Sequence, residues 1–215
     1  MGRDQHAGIY LGGPMIEVDV SDLEWIMNVN VYGVVRVTQA FAPMIIESRG
    51  RIATTGSISG IGTGSFSGHY SMTKHAIEAY TDALSEEMAK FGVKISVIEP
   101  GNYASKIGAT AKERMLKDLE AQTGSLYKEE MTEFLSGDWS GASDKEPGDV
   151  SAAAVHAMSS DEPLLRYMMV PSEGEAAWTI GAQIDELVQL NQWQAYSYSR
   201  EELIEKLDTA LEKAK

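Results

Sequence analysis

Two short apolar runs separated by a long helical stretch constrain this sequence more than any other feature. Arg51-Ile52-Ala53-Thr54-Thr55 and Lys94-Ile95-Ser96-Val97-Ile98-Glu99 are too short for helices and carry β-branched residues. The first run is closed by Gly56 and the second by Pro100-Gly101. The unbroken Ile-Ser-Val-Ile core of the second suits a strand covered on both faces, as in a parallel sheet. From about His69 to Phe91 the helical period returns, with Gly92 placed as its C-cap. Strand, helix and strand in that order make a parallel pair with a right-handed crossover.

The alternation continues along the chain. Residues 21–48 read as a helix opened by Ser21 as N-cap, with Glu24 at the capping-box position. Residues 56–68 hold five Gly and four Ser and read as a loop. Residues 110–134 read as a charged helix, 136–149 as a polar loop and 148–160 as another helix. Tyr167-Met168-Met169-Val170 reads as a third strand, followed by helices near 173–191 and 200–213. This order predicts one α/β domain over 1–215, built on a Rossmann-like, doubly wound parallel sheet. The opening is at odds with it. Met1-Gly2-Arg3-Asp4-Gln5-His6 reads as too polar and short for a buried strand, so the chain begins as if N-terminally truncated.

Composition removes several function classes. The net charge of −14 repels a phosphate backbone, so neither nucleic acid nor an anionic membrane surface is an expected partner. No run approaches 18 uncharged apolar residues, and the N-terminus has no apolar signal region, so a cytoplasmic location is expected. With no Cys, there is no disulfide scaffold, thiolate metal site or Cys nucleophile. The four His are scattered without a carboxylate cluster, and no metal site is expected. The 11 Met read as core or pocket lining.

Tyr70 and Lys74 are four apart in the helical stretch, which puts both on one face. An ammonium there is expected to lower the phenol's pKa and suit it to acid–base work near neutral pH. The same pair on an exposed helix would do nothing, so its neighbours decide. Ser57 follows a strand thirteen residues earlier, across a Gly-rich loop that lets backbone approach a ligand. Ser59 is the alternative hydroxyl, at a spacing of eleven. Asn30 interrupts an apolar helix and either satisfies main chain at a kink or marks a site. Pro100-Gly101 falls at a strand's carboxyl end, where ligands bind in open α/β sheets.

Taken together, Gly56-Ser57-Ile58-Ser59-Gly60 and Tyr70-Ser71-Met72-Thr73-Lys74 resemble the active-site signature of the short-chain dehydrogenase/reductase family. Asn30-Val31-Tyr32-Gly33 and Val97-Ile98-Glu99-Pro100-Gly101 extend the likeness, and residues 64–107 are most similar to retinol- and hydroxysteroid-dehydrogenase-like members. The resemblance implies an NAD- or NADP-dependent oxidoreductase acting on a small-molecule alcohol or carbonyl substrate. Tyr70 would be its acid/base, Lys74 would tune Tyr70 and bond the cofactor ribose, and Ser57 would hold the substrate oxygen. Asn30 would hold a water linking Lys74 to solvent. Ala7, Gly8, Pro100 and Gly101 would border the cofactor, and residues 103–147 would be the substrate lid.

The chain departs from the family at its start. His6-Ala7-Gly8 is similar to the end of an Asn-Asn-Ala-Gly motif, with Gln5 and His6 replacing both Asn, and nothing resembles the Gly-rich pyrophosphate turn. Gly60-x-Gly62-x-Gly64 neither follows a first strand nor opens a helix in the right place. The strand at 51–55 is then expected to expose an unpaired edge, covered by a homo-oligomer or another partner. The alternative function is a non-catalytic interaction module or fragment pairing through its long helices. A hydrolase using Ser57 with His69 or His75 lacks an orienting carboxylate and a nucleophile elbow. The sequence selects neither the substrate nor NAD over NADP.

Overall fold

The computed structural model describes residues 2–5, 8–137 and 145–213. Four strands form one parallel sheet in the order β1-β2-β3-β4: β1 (Gly2–Gln5), β2 (Arg51–Thr55), β3 (Lys94–Pro100) and β4 (Arg166–Met169). Register pairs Arg3 with Ile52, Ile52 with Ile95 and Ile98 with Tyr167. The fold is α/β and Rossmann-like. Two expectations are corrected here. Gly2–Gln5 is a strand despite its polarity, because a parallel ladder is made by peptide groups and not by apolar side chains. The strand at 51–55 is therefore an interior strand, not the open edge expected of it.

Side-chain alternation along β2 and β3 sends residues to two covered faces. On one face, Ile52 and Ile95 meet Ile45 of helix α2 (Gly33–Glu47) and Met88 of helix α3 (Gly68–Ala89). Val97 packs there with Val34 and Ile77. On the other face, Ala53, Ile98 and Tyr167 meet Ala153 and Ala157 of helix α6 (Gly148–Ser159). Helices thus cover both faces, as the unbroken apolar run in β3 requires.

The stretch 21–48 is not a single regular helix. Helix α1 (Val20–Met27) passes through a π-helical turn, Asn28–Tyr32, into α2. Its N-cap is Asp19 and not Ser21: the Asp19 carboxylate accepts from both the N–H and the hydroxyl of Ser21, at 2.8 Å each. By length and composition, Val20–Glu47 is apolar enough to cross a membrane. Its buried Ile26, Val34 and Ile45 pack against the rest of the domain as a covering helix does.

The charged stretch at 110–134 is two helices, α4 (Lys106–Ala121) and α5 (Lys128–Ser136). The break comes at Gly124, whose φ of +108° favours glycine. Glu17 fixes this turn by accepting from the Ser125 hydroxyl and the Leu126 N–H, both at 2.7 Å. Met115, Met131 and Leu135 pack together with Tyr10 and Phe66, so α4 and α5 sit over the loop after β1. The chain divides into two units, Met1–Thr179 and Ile180–Lys215. Helix α7 (Glu173–Leu190) contributes to both, and α8 (Arg200–Lys213) belongs to the second.

Candidate active site

The carboxyl ends of β2 and β3 open into a cleft of about 760 Å³ whose lining includes Gly8, Ser57, Tyr70, Lys74, Pro100 and Gly101. The structure thus gathers most of the residues singled out from the sequence onto one site. Asn30 is not on the cleft wall, and Ala7 lies outside the described residues. Residues 103–137 and 145–147 of the expected lid are described, and Tyr103, Ile107 and Phe134 from it line the cleft.

Ser57 leaves β2 in extended conformation and caps the short 3₁₀ turn Ile58–Gly60, its hydroxyl accepting from the Ser59 N–H at 3.1 Å. Ser59, the alternative hydroxyl, also lines the cleft, while the Ser57 hydroxyl reaches the Pro100 carbonyl at 3.5 Å. Tyr70 and Lys74 project from the first turns of α3, and the Lys74 Nζ lies 5.4 Å from the centre of the Tyr70 ring. Lys74 is 5% exposed and donates to the Thr55 carbonyl at 3.0 Å.

Burial governs the electrostatics. It pushes the Tyr70 hydroxyl up to about 12, opposed by a hydrogen bond with Ser57. This is the opposite of the lowering expected from Lys74: a desolvated phenolate is disfavoured, and the neighbouring Tyr10 adds to the rise. Burial also lowers Lys74 to about 8, against the attraction of Glu78 that favours its charged form.

Asn30 works behind the cleft. Its Oδ1 accepts from the Ile9 N–H at 2.9 Å, and its Nδ2 donates to the Ile9 carbonyl at 2.9 Å and to Thr73 Oγ1 at 3.1 Å. Thr73 in turn donates to the Tyr70 carbonyl at 2.7 Å. The π turn thus clamps the loop after β1 to the helix that carries Tyr70, the main-chain role open to this Asn from the sequence. His69 is buried beside Tyr70, and His75 contacts the Ser71 carbonyl through Nδ1 at 2.9 Å.

Tyr10 and Glu175 are among the cleft residues that sequence reasoning missed. Tyr10 stacks on Tyr70 with ring centres 4.8 Å apart and shares a hydrogen bond with Ser67 at 2.9 Å. Ile9-Tyr10-Leu11 shows no period that would have flagged it. Glu175 lies with its carboxylate against Gly101, where a Cβ would meet it, and accepts from the Asn102 N–H at 2.9 Å. A contact between residues 73 positions apart leaves no local signal.

The sequence pattern of the short chain dehydrogenase family matches residues 5–116, just over half of the chain. Short-chain dehydrogenase/reductase family 9C member 7 of Mus musculus is 33% identical over 171 residues, covering 75% of this chain and 54% of that protein. Retinol dehydrogenase 16 of Homo sapiens is 37% identical over 119 residues, covering 55% of this chain and 37% of its own. The chain therefore spans about half, or less, of the length of these relatives. A short chain dehydrogenase/reductase from Burkholderia phymatum, solved in complex with NAD, shares the fold at a TM-score of 0.68 and 21% identity. The match covers 92% of this chain and 69% of that one.

Proposed function

The chain belongs to the short chain dehydrogenase family, and on that premise we propose that it transfers a hydride between an alcohol and a ketone or aldehyde, using NAD or NADP. The observation that carries this reading is the convergence of Ser57, Tyr70 and Lys74 on one cleft. The dehydrogenase names of the relatives and the NAD complex of the structural neighbour support it.

The residues present fit the nicotinamide–ribose end of such a cofactor. Ser71 lines the cleft with a buried hydroxyl that lacks a partner, and the buried Lys74 ammonium has a single described acceptor for its three N–H groups. Lys74 and Tyr70 would hold the ribose hydroxyls, with Gly8, Pro100 and Gly101 bordering the ring. When bound, the cofactor supplies or receives the hydride.

The chain's own residues manage the substrate oxygen and its proton. Held near 12, the Tyr70 hydroxyl stays protonated at neutral pH and donates to an oxygen that gains charge as a carbonyl is reduced. The Ser57 hydroxyl steadies the same oxygen. In the alcohol-oxidising direction, the Lys74 ammonium favours the Tyr70 phenolate that must accept the proton. Tyr10, Ile107 of α4 and Phe134 of α5 line the cleft and give the reacting carbon apolar surroundings.

Turnover of a panel of secondary alcohols and ketones tests this reading. Tyr70→Phe is expected to lower kcat by about 10²- to 10⁴-fold, the usual worth of a positioned proton donor, with KM little changed. Ser57→Ala is expected to lower it by about 10²- to 10³-fold. Turnover that survives Tyr70→Phe would sink the assignment of Tyr70.

A further inference from the structure

Behind the cleft lies a second charged cluster that the hydride-transfer reading does not use. Glu78 stands one turn beyond Lys74 on α3, and Glu99, only 1% exposed, precedes Pro100 on β3. Both carboxyl groups turn towards the same Arg166 guanidinium nitrogen. Oε1 of each is buried without a hydrogen-bond partner. Two ionised carboxylates so placed repel, and two orphaned acceptors in the interior are expensive. One proton between them removes both costs.

We propose that Glu78 and Glu99 share a single proton and act as the positioning pair for Lys74 and for the turn that carries Ser57. The surrounding charges agree with one proton. Arg166 of β4 places Nε 3.2 Å from Glu78 and 3.7 Å from Glu99, and its Nη2 lies 2.6 Å from Asp82. The groups facing the pair are therefore Lys74 and Asp82 on α3 and Arg166 on β4. With one shared proton, the pair and Asp82 carry two negative charges against the two positive charges of Lys74 and Arg166. Ionising both carboxyls leaves an excess negative charge in the interior.

Geometry ties this pair to the reacting groups. A Cβ at Gly56 would meet Glu78 Oε1 at 3.0 Å, and one at Gly60 would meet it at 3.1 Å. The carboxyl of Glu78 is thus packed against the backbone on either side of Ser57, filling space that only glycines leave. Along α3, its charge stabilises the Lys74 ammonium against the desolvation that disfavours it.

The proposal takes its purpose from the reading of Lys74 as a working ammonium, so its test avoids cofactor and turnover. The first measurement is infrared spectroscopy of the full chain at neutral pH, in H₂O and D₂O. One isotope-sensitive band from a buried protonated carboxyl is expected, and it disappears in Glu99→Gln. The second is an NMR titration of the Lys74 side chain with ¹³C-labelled lysine, assigned with Lys74→Arg. Glu78→Gln is expected to lower the Lys74 titration point by about one pH unit, the effect of removing a close opposite charge. Glu99→Gln, whose amide imitates the protonated acid, is expected to leave it in place. No protonated carboxyl in the wild-type chain would overturn the proposal, as would a Lys74 titration unmoved by Glu78→Gln or lowered equally by both variants. The infrared result stands without any variant should Glu78→Gln fail to fold. Failure to bind a nicotinamide cofactor would reject the proposed activity and leave both measurements intact.

Discussion

Asn30 is 2% exposed, and its side-chain amide bonds the Ile9 N–H, the Ile9 carbonyl and the Thr73 hydroxyl. Replacing it with Ala strands two backbone groups of Ile9 in the interior, at about 1–3 kcal/mol for each polar group left unpaired. Asn30→Ala is therefore expected to lower unfolding stability by about 2–6 kcal/mol, read from the denaturant midpoint. An unchanged midpoint would show that the clamp is dispensable. Asn30 was visible in the sequence because it is polar in an apolar helix, whereas its partner Ile9 was not, since the bond spans 21 residues. Spacing brought out Ser57, Tyr70 and Lys74 because helical period and strand ends are local properties. The direction of the Tyr70 shift was misjudged for a related reason: spacing locates the ammonium but does not measure how dry the phenol's surroundings are.

At the scale of elements, β3 carries a buried carboxyl, that of Glu99, at 1% exposure. Burial, followed by repulsion from Glu78, pushes the Glu99 carboxyl up to about 8 from the ordinary 4.5. Between those values the folded chain binds a proton at Glu99 that the unfolded chain releases. This contribution to stability is full below about pH 4.5 and is lost as pH rises towards 8. Urea midpoints measured across that window are expected to fall with rising pH, and Glu99→Gln is expected to flatten the fall. A Glu99→Gln chain with the wild-type pH dependence would contradict the assignment. Most elements were legible from period and punctuation, including β2, β3, α3 and α6. The misreadings share one cause. Strand β1, the Asp19 cap and the break at Gly124 depend on backbone pairing, capping geometry and a positive φ, and hydrophobic pattern registers none of them.

For the whole molecule, the described residues of the proposed site all fall within the unit Met1–Thr179. The unit Ile180–Lys215 is organised by Asn191, which accepts from the Tyr198 N–H and donates to the Tyr198 carbonyl at 2.8 Å each. Its helix α8 leaves Ile204, Leu207 and Leu211 exposed. Substrate choice stayed illegible because the cleft is assembled from segments far apart in sequence, from Gly8 to Trp178. Composition cannot show how Tyr10, Phe134 and Glu175 shape one wall. The central claim, that Lys74 belongs to an assembled nicotinamide site, is tested most directly by fluorescence titration of the full chain with NADH and NADPH, beside Lys74→Ala. The account predicts saturable binding of at least one cofactor, weakened about 10- to 100-fold in Lys74→Ala, the worth of a charge-assisted hydrogen bond. Absence of binding up to millimolar cofactor, or equal binding by both chains, would contradict it.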